Sequence, residues 1–105
     1  MKNKKKEEEI KKKENFANVR KNFLKKIIHQ LKNKNIKVSL FIEPDLKIVR
    51  SAKKLNVDNI ELHTGKFCKF FKKKDSQNVK KEFLRIKNSA KLGKILGLGV
   101  HAGHG

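Results

Sequence analysis

Two hydrophobic periods alternate along this chain. From Asn15 to Asn33, Phe16, Val19, Phe23, Leu24, Ile27, Ile28 and Leu31 fall on one helical face with lysines opposite, which predicts an amphipathic helix packed on a core. A membrane-surface helix has the same pattern, but a strand follows at once and needs a cover, so core packing is the reading carried forward. Asn33 or Asn35 can take the left-handed conformation that ends such a helix. Ile36 to Ile42 then reads as a strand, apolar enough from Val38 onward to be buried on both faces as parallel strands are. Glu43-Pro44-Asp45 closes it, because proline disfavours continuation of a ladder.

The alternation repeats. Asp45 or Pro44 starts a helix whose inner face is Leu46, Val49, Ala52 and Leu55, with Asn56 as its stop. Asn59 to Thr64 is a second strand, and Gly65 to Lys74 a loop or short helix. A long helix runs from about Ser76 to Leu96, with Val79, Phe83, Ile86, Ala90 and Gly93 inward, Ser76 as N-cap and Gly97 as the stop. Leu98 to Val100 make a third strand. Helices and strands in strict alternation imply right-handed crossovers and a parallel sheet, so the expected class is α/β, either doubly wound or part of a (β/α)8 barrel. Both architectures bind ligands at the carboxyl ends of strands, where Glu43, Glu61, His63, His101 and His104 lie.

Charge changes the picture mainly at the N-terminus. Residues 1–15 are mostly Lys and Glu, with only Ile10 expected to be buried, and Glu7, Glu8 and Glu9 stand one helical turn before Lys11, Lys12 and Lys13. They are expected to be a helical or disordered leader, with residues 16–105 as the folded part. The net charge of +19 in 105 residues suggests polyanionic partners. Yet the basic residues are nearly all lysine, with Arg20, Arg50 and Arg85 the arginines, and Lys, Asn, Ile and Phe are all plentiful, as AT-rich codons would make them. Most of the lysines are therefore read as solvated surface. Phe67, Phe70 and Phe71 among lysines keep a basic nucleic-acid-binding module as the alternative.

Cys68 is the one cysteine, so no intramolecular disulfide forms and a reducing compartment fits. No apolar run approaches the roughly 18 residues that span a bilayer, and no signal peptide opens the chain, so a cytoplasmic protein is expected. Glu61 and His63 share one strand face, Ile60 and Leu62 the other. A carboxylate there is either an exposed rim residue or functional, since burial without a partner is costly. Near the C-terminus, Gly97-Leu98-Gly99 and Gly103-His104-Gly105 are too short for a dinucleotide fingerprint. His101, His104, His63 and Cys68 have no metal-ligand spacing of their own, and no Ser or Cys nucleophile adjoins a base. What remains is His104 between glycines, uncrowded and suited to proton transfer near neutral pH.

These segments carry a resemblance. Val38 to Pro44 (Val-Ser-Leu-Phe-Ile-Glu-Pro), Ile60 to Gly65 (Ile-Glu-Leu-His-Thr-Gly) and Leu98 to Gly105 (Leu-Gly-Val-His-Ala-Gly-His-Gly) resemble, in order, the fifth, sixth and seventh strand segments of the pyridoxine 5′-phosphate synthase family. The resemblance implies a TIM barrel that condenses 1-deoxy-D-xylulose 5-phosphate with 3-amino-2-oxopropyl phosphate, releasing phosphate and water, with neither metal nor organic cofactor. It implies His104 as proton donor, Glu61 as the transition-state-stabilising carboxylate, Gly105 as a backbone contact to the aminoketone phosphate, and His63 and Thr64 as substrate-side positions beside the pocket. Its partners would be small phosphorylated substrates, and its members assemble as homo-oligomers. Two departures stand out: His101 replaces the usual Asn, and Asn56 a helix-ending Gly.

The same comparison leads to the expectation that the first four strands and the eighth are absent, and with them further acid/base, arginine and glycine-phosphate contacts. Activity would then require a complementing half-barrel. Strands cut from a closed barrel keep open edges and apolar faces. The isolated chain is accordingly expected to be at best marginally folded, and an all-or-none urea transition of the purified monomer, with the steepness ordinary for its size, would contradict this.

Overall fold

The computed structural model describes residues 19–103, so the leader at 1–15, Phe16, His104 and Gly105 lie outside the described residues. Helix α1 covers 19–33, followed by β1 (Ser39–Ile42), α2 (Leu46–Lys54), β2 (Asn59–His63), α3 (Gly65–Lys72), α4 (Ser76–Ile95) and β3 (Gly99–Gly103). The strands form one parallel sheet in the order β1-β2-β3, with Phe41 beside Glu61, Glu61 beside His101, and His63 beside Gly103. Among the described residues this is an α/β protein of three parallel strands and four helices, consistent with part of a TIM barrel.

Local chemistry sets the boundaries. Asp45 caps α2 by accepting the Lys47 and Ile48 amides at 2.8 and 3.4 Å. Asp75, not Ser76, caps α4: its carboxylate takes the Asn78 backbone N–H at 3.3 Å and side-chain amide at 2.7 Å, which leaves Ser76 as the first helical residue. Each described helix ends on a left-handed residue, at Asn35, Asn56, Lys74 and Gly97 in turn. After α1 the closure is complete, with Ile36 N–H donating to Leu31 O and Asn35 N–H to Lys32 O, each at 3.0 Å. The stretch from Gly65 is therefore a true helix, stopped at Lys74 rather than left as a loop.

Packing divides the sheet into unlike faces. Ile60 and Leu62 are fully buried, and with Val49, Ala52, Val57, Leu98 and Ile28 they form the core. Helix α4 lies close on this face, since a Cβ at Gly93 would come within 2.8 Å of Val100 and 3.1 Å of Ile60. Phe41, on the opposite face, is 52% exposed, and His101 is exposed too. The expectation that β1 is buried on both faces is thus corrected: among the described residues, helices cover one face of the sheet only. The extents of 48 × 46 × 21 Å fit a single helix layer on a single sheet. A radius of gyration of 17.0 Å exceeds the roughly 13 Å of a compact domain of about this size.

Other expectations shift for the same reason. Helix α1 buries Ile28 and half-buries Leu24 and Leu31, but Val19 and Phe23 remain 64% and 66% exposed, because its stripe is wider than the surface it meets. Leu46 and Phe83 are likewise more exposed than their inward phase suggests. Strand β1 is shorter than the apolar run that announced it, and β3 runs on to Gly103 because Gly99 to Gly103 pair along the whole of β2.

The amino end of the sheet is tied by Asp58. Its carboxylate accepts the Val38 N–H at 2.8 Å and lies 3.5 Å from the Lys32 ammonium of α1, while Lys32 also donates to the Asn56 carbonyl at 2.9 Å. The Val38 N–H first, and then Lys32, hold the Asp58 carboxyl below its ordinary value against the opposing effect of desolvation. A depressed carboxylate stabilises the fold above the unfolded-state pKa of about 3.9, and that contribution disappears as pH falls through the lower folded value. Asp58→Asn is therefore expected to lower the melting temperature at neutral pH, with the gap from the parent closing as the pH of the melt is taken below about 4.

Candidate functional site

The carboxyl ends of β1, β2 and β3 bring the chemistry-bearing residues to one rim. Side chains of alternate residues share a face, so Phe41, Glu61, His63, His101 and Gly103 line the open face while Leu40, Ile60, Leu62 and Val100 turn to the helices. Glu61 and His63 do share the uncovered side, as their spacing required. Glu61 is half-buried in the middle of it, between Phe41 and His101 in register.

Glu61 also reaches β3. A Cβ built on Gly103 would stand 3.0 Å from Glu61 Oε1, so the carboxylate occupies the space beside Gly103 that a side chain would take. Gly103 immediately precedes His104 in the sequence. His104 and Gly105 themselves lie outside the described residues.

His63 is held from several sides. Its Nδ1 accepts the Gly65 N–H at 3.2 Å, which in the neutral ring leaves the proton on Nε2. Glu43 Oε1 stands 3.7 Å from the same nitrogen, beyond hydrogen-bond distance, and forms an ion pair with the ring only when the imidazole is protonated. The ring makes a T-shaped contact with Phe41, with centroids 5.0 Å apart and planes at 68°. Phe41 is thus added to the candidate site, and Glu43, which the sequence already puts at a strand end, takes a place beside His63. Phe41 on β1 and Glu43 just past its end continue the alternation that 61 and 63 show on β2.

Thr64 bridges to the last strand. Its backbone N–H and its Oγ1 both donate to the Gly103 carbonyl, at 3.2 and 3.0 Å. His101, by contrast, points from the open face lower on β3, in register with Glu61 rather than at the rim.

The aromatic cluster takes a different place. Phe67 stacks on Phe71 with centroids 6.3 Å apart and meets Phe83 of α4 at 6.4 Å, so these rings pack α3 on α4. Phe70 is half-buried, and Phe71 is 67% exposed. Cys68 is half-buried and in no disulfide. Among the described residues, no three His, Cys, Asp or Glu side chains are grouped to hold a metal, and no helix is long and apolar enough to cross a membrane.

A parallel sheet covered on one side, with a carboxylate and imidazole at its carboxyl rim, defines an α/β protein of the kind whose strand ends carry the site. Comparison with known proteins narrows the class. The model of the family described as pyridoxal phosphate biosynthesis protein PdxJ matches residues 5–105. A pyridoxine 5′-phosphate synthase of Pelagibacter ubique (strain HTCC1062) is 46% identical over 82 residues, which are 78% of this chain and 34% of that protein. The synthase of Hydrogenobaculum sp. (strain Y04AAS1) is 45% identical over 83 residues, 79% of this chain and 35% of its own. That of Ehrlichia ruminantium (strain Welgevonden) is 47% identical over 83 residues, 79% and 32% respectively. The chain belongs to the PdxJ family, and it spans about a third of the length of the curated relatives it matches.

The His63 cradle has a direct check. A Cβ at Gly65 would overlap the His63 ring. Gly65→Ala is expected to drive the imidazole off Phe41, seen in proton NMR as loss of the mutual ring-current shifts of the His63 and Phe41 ring signals while the Ile60 and Leu62 methyl shifts hold.

Proposed function

We propose that this chain supplies the fifth to seventh strands of a pyridoxine 5′-phosphate synthase barrel, with residues 1–15 as a leader and residues 16–105 as the barrel part, acting in the cytoplasm. The reaction is the condensation of 1-deoxy-D-xylulose 5-phosphate with 3-amino-2-oxopropyl phosphate, and the remaining strands come from a partner or from further chain. The observation that carries the reading is the Glu61 carboxylate set beside Gly103, at the carboxyl rim of parallel strands, in a chain about 45% identical to proteins named for this activity.

Glu61 on the open face is suited to stabilising positive charge that develops as amine and ketone condense, because a fixed carboxylate needs no reorganisation when the charge appears. His104, next along from Gly103, is assigned the proton donor of the dehydration and ring-closing steps, which need protons moved near neutral pH. Gly105 offers a backbone contact to the phosphate of the aminoketone, and His63 and Thr64 stand on the substrate side of the rim. The positive field of a chain with a net charge of +19 favours the approach of two phosphorylated substrates. Homo-oligomers or a complementing half-barrel provide the partner surface for the open sheet face.

The test joins the chain to the segments of the Pelagibacter relative that it does not match, and assays pyridoxine 5′-phosphate. Product is expected. In that barrel His104→Ala is expected to lower kcat by about 10²–10⁴-fold, and Glu61→Gln by about 10²–10³-fold. Full activity in the double variant would remove both assignments.

A further inference from the structure

We propose that Thr64 is a positioning residue, acting through the Gly103 carbonyl on residue 104; this rests on the assignment of His104 as proton donor. Thr64 occupies the N-cap place of α3, where a threonine hydroxyl ordinarily accepts an amide of the first turn. It makes no such bond. Its hydroxyl is directed instead across the sheet, donating at 3.0 Å to the carbonyl of a residue 39 positions away.

That carbonyl belongs to the peptide joining residues 103 and 104, and the Thr64 N–H donates to it as well, at 3.2 Å. Two donors on one oxygen occupy both of its lone pairs and hold the plane of the peptide. The tie has a reason to exist at this point. Gly103 has no Cβ and accepts a wide range of backbone conformations, so its own sequence does little to fix where residue 104 starts. The Glu61 carboxylate stands beside the same glycine, so a tie on the Gly103 carbonyl acts on the backbone next to that carboxylate. A hydroxyl proton already given to Gly103 is not available to a substrate, which separates this role from a binding contact.

Thr64→Val keeps the shape and loses the donor, Thr64→Ser keeps the donor, and Thr64→Cys offers a weaker one. Amide relaxation is measured on the isotope-labelled chain and on the barrel completed with the Pelagibacter segments, so a chain that does not fold alone leaves the measurement intact. Thr64→Val is expected to lower the order of the Gly103 and residue 104 amides from about 0.85 toward 0.6, with Ile60, Leu62 and Val100 unmoved. Thr64→Ser restores it and Thr64→Cys falls between. In the completed barrel Thr64→Val is expected to lower kcat by about ten- to a hundredfold, with KM for both substrates within about twofold and activity recovered in Thr64→Ser. Unchanged amide order, or a raised KM with kcat intact, overturns the proposal. A completed parent barrel that makes no product overturns the functional reading instead, and the amide measurement still decides the role of Thr64.

Discussion

Everything in this structure depends on the alternation of side chains along one short strand. Ile60 and Leu62 of β2 are sealed against the helices, and that burial obliges Glu61 and His63 to face the other way. A slip of one residue would put the carboxylate and imidazole under α4 and the aliphatic side chains on the rim, at a cost of several kcal/mol for the buried charge alone. The hydrophobic contact on one face therefore sets the register of the chemistry on the other. Because β1 and β3 pair with β2 in parallel, Phe41, His101 and Gly103 inherit the same orientation.

The two ends of β2 carry complementary ties. Asp58, just before the strand, reaches back to the Val38 N–H and to Lys32 of α1, locking the preceding elements at the amino end. Thr64, just after it, reaches forward to the Gly103 carbonyl at the carboxyl end. The first tie is charged and serves stability, as expected at the bottom of such a sheet. The second is neutral and lies among the candidate site residues, where strand ends and their loops do the chemistry. Both side chains bond to backbone, so each holds a neighbouring strand in register without depending on its residue type.

Much of this was legible in advance because it is local. The left-handed stops at Asn35, Asn56 and Gly97, the cap at Asp45 and the shared face of Glu61 and His63 follow from short-range rules. The departures are those in which a distant group competes with a local preference. Asp75 outcompeted Ser76 for the amides of α4. Thr64 forwent its own helix for a carbonyl on another strand. The stripe on α1 promised more burial than one layer of sheet can provide, so Val19 and Phe23 are left in solvent.

The α/β alternation, the parallel sheet, the family and the phase that puts Glu61 and His63 on one face are all written in the order of residues, since each follows from periodicity or motif. The folded chain alone reveals which face of the sheet the helices cover, that Glu61 stands beside Gly103, that Glu43 and Phe41 flank His63, and where the Asp58 and Thr64 side chains go. The physical reason is common to all of them. Periodicity assigns a side chain to a face, whereas its partner is selected by which backbone and side-chain groups the fold carries to within about 3 Å of it, often from tens of residues away.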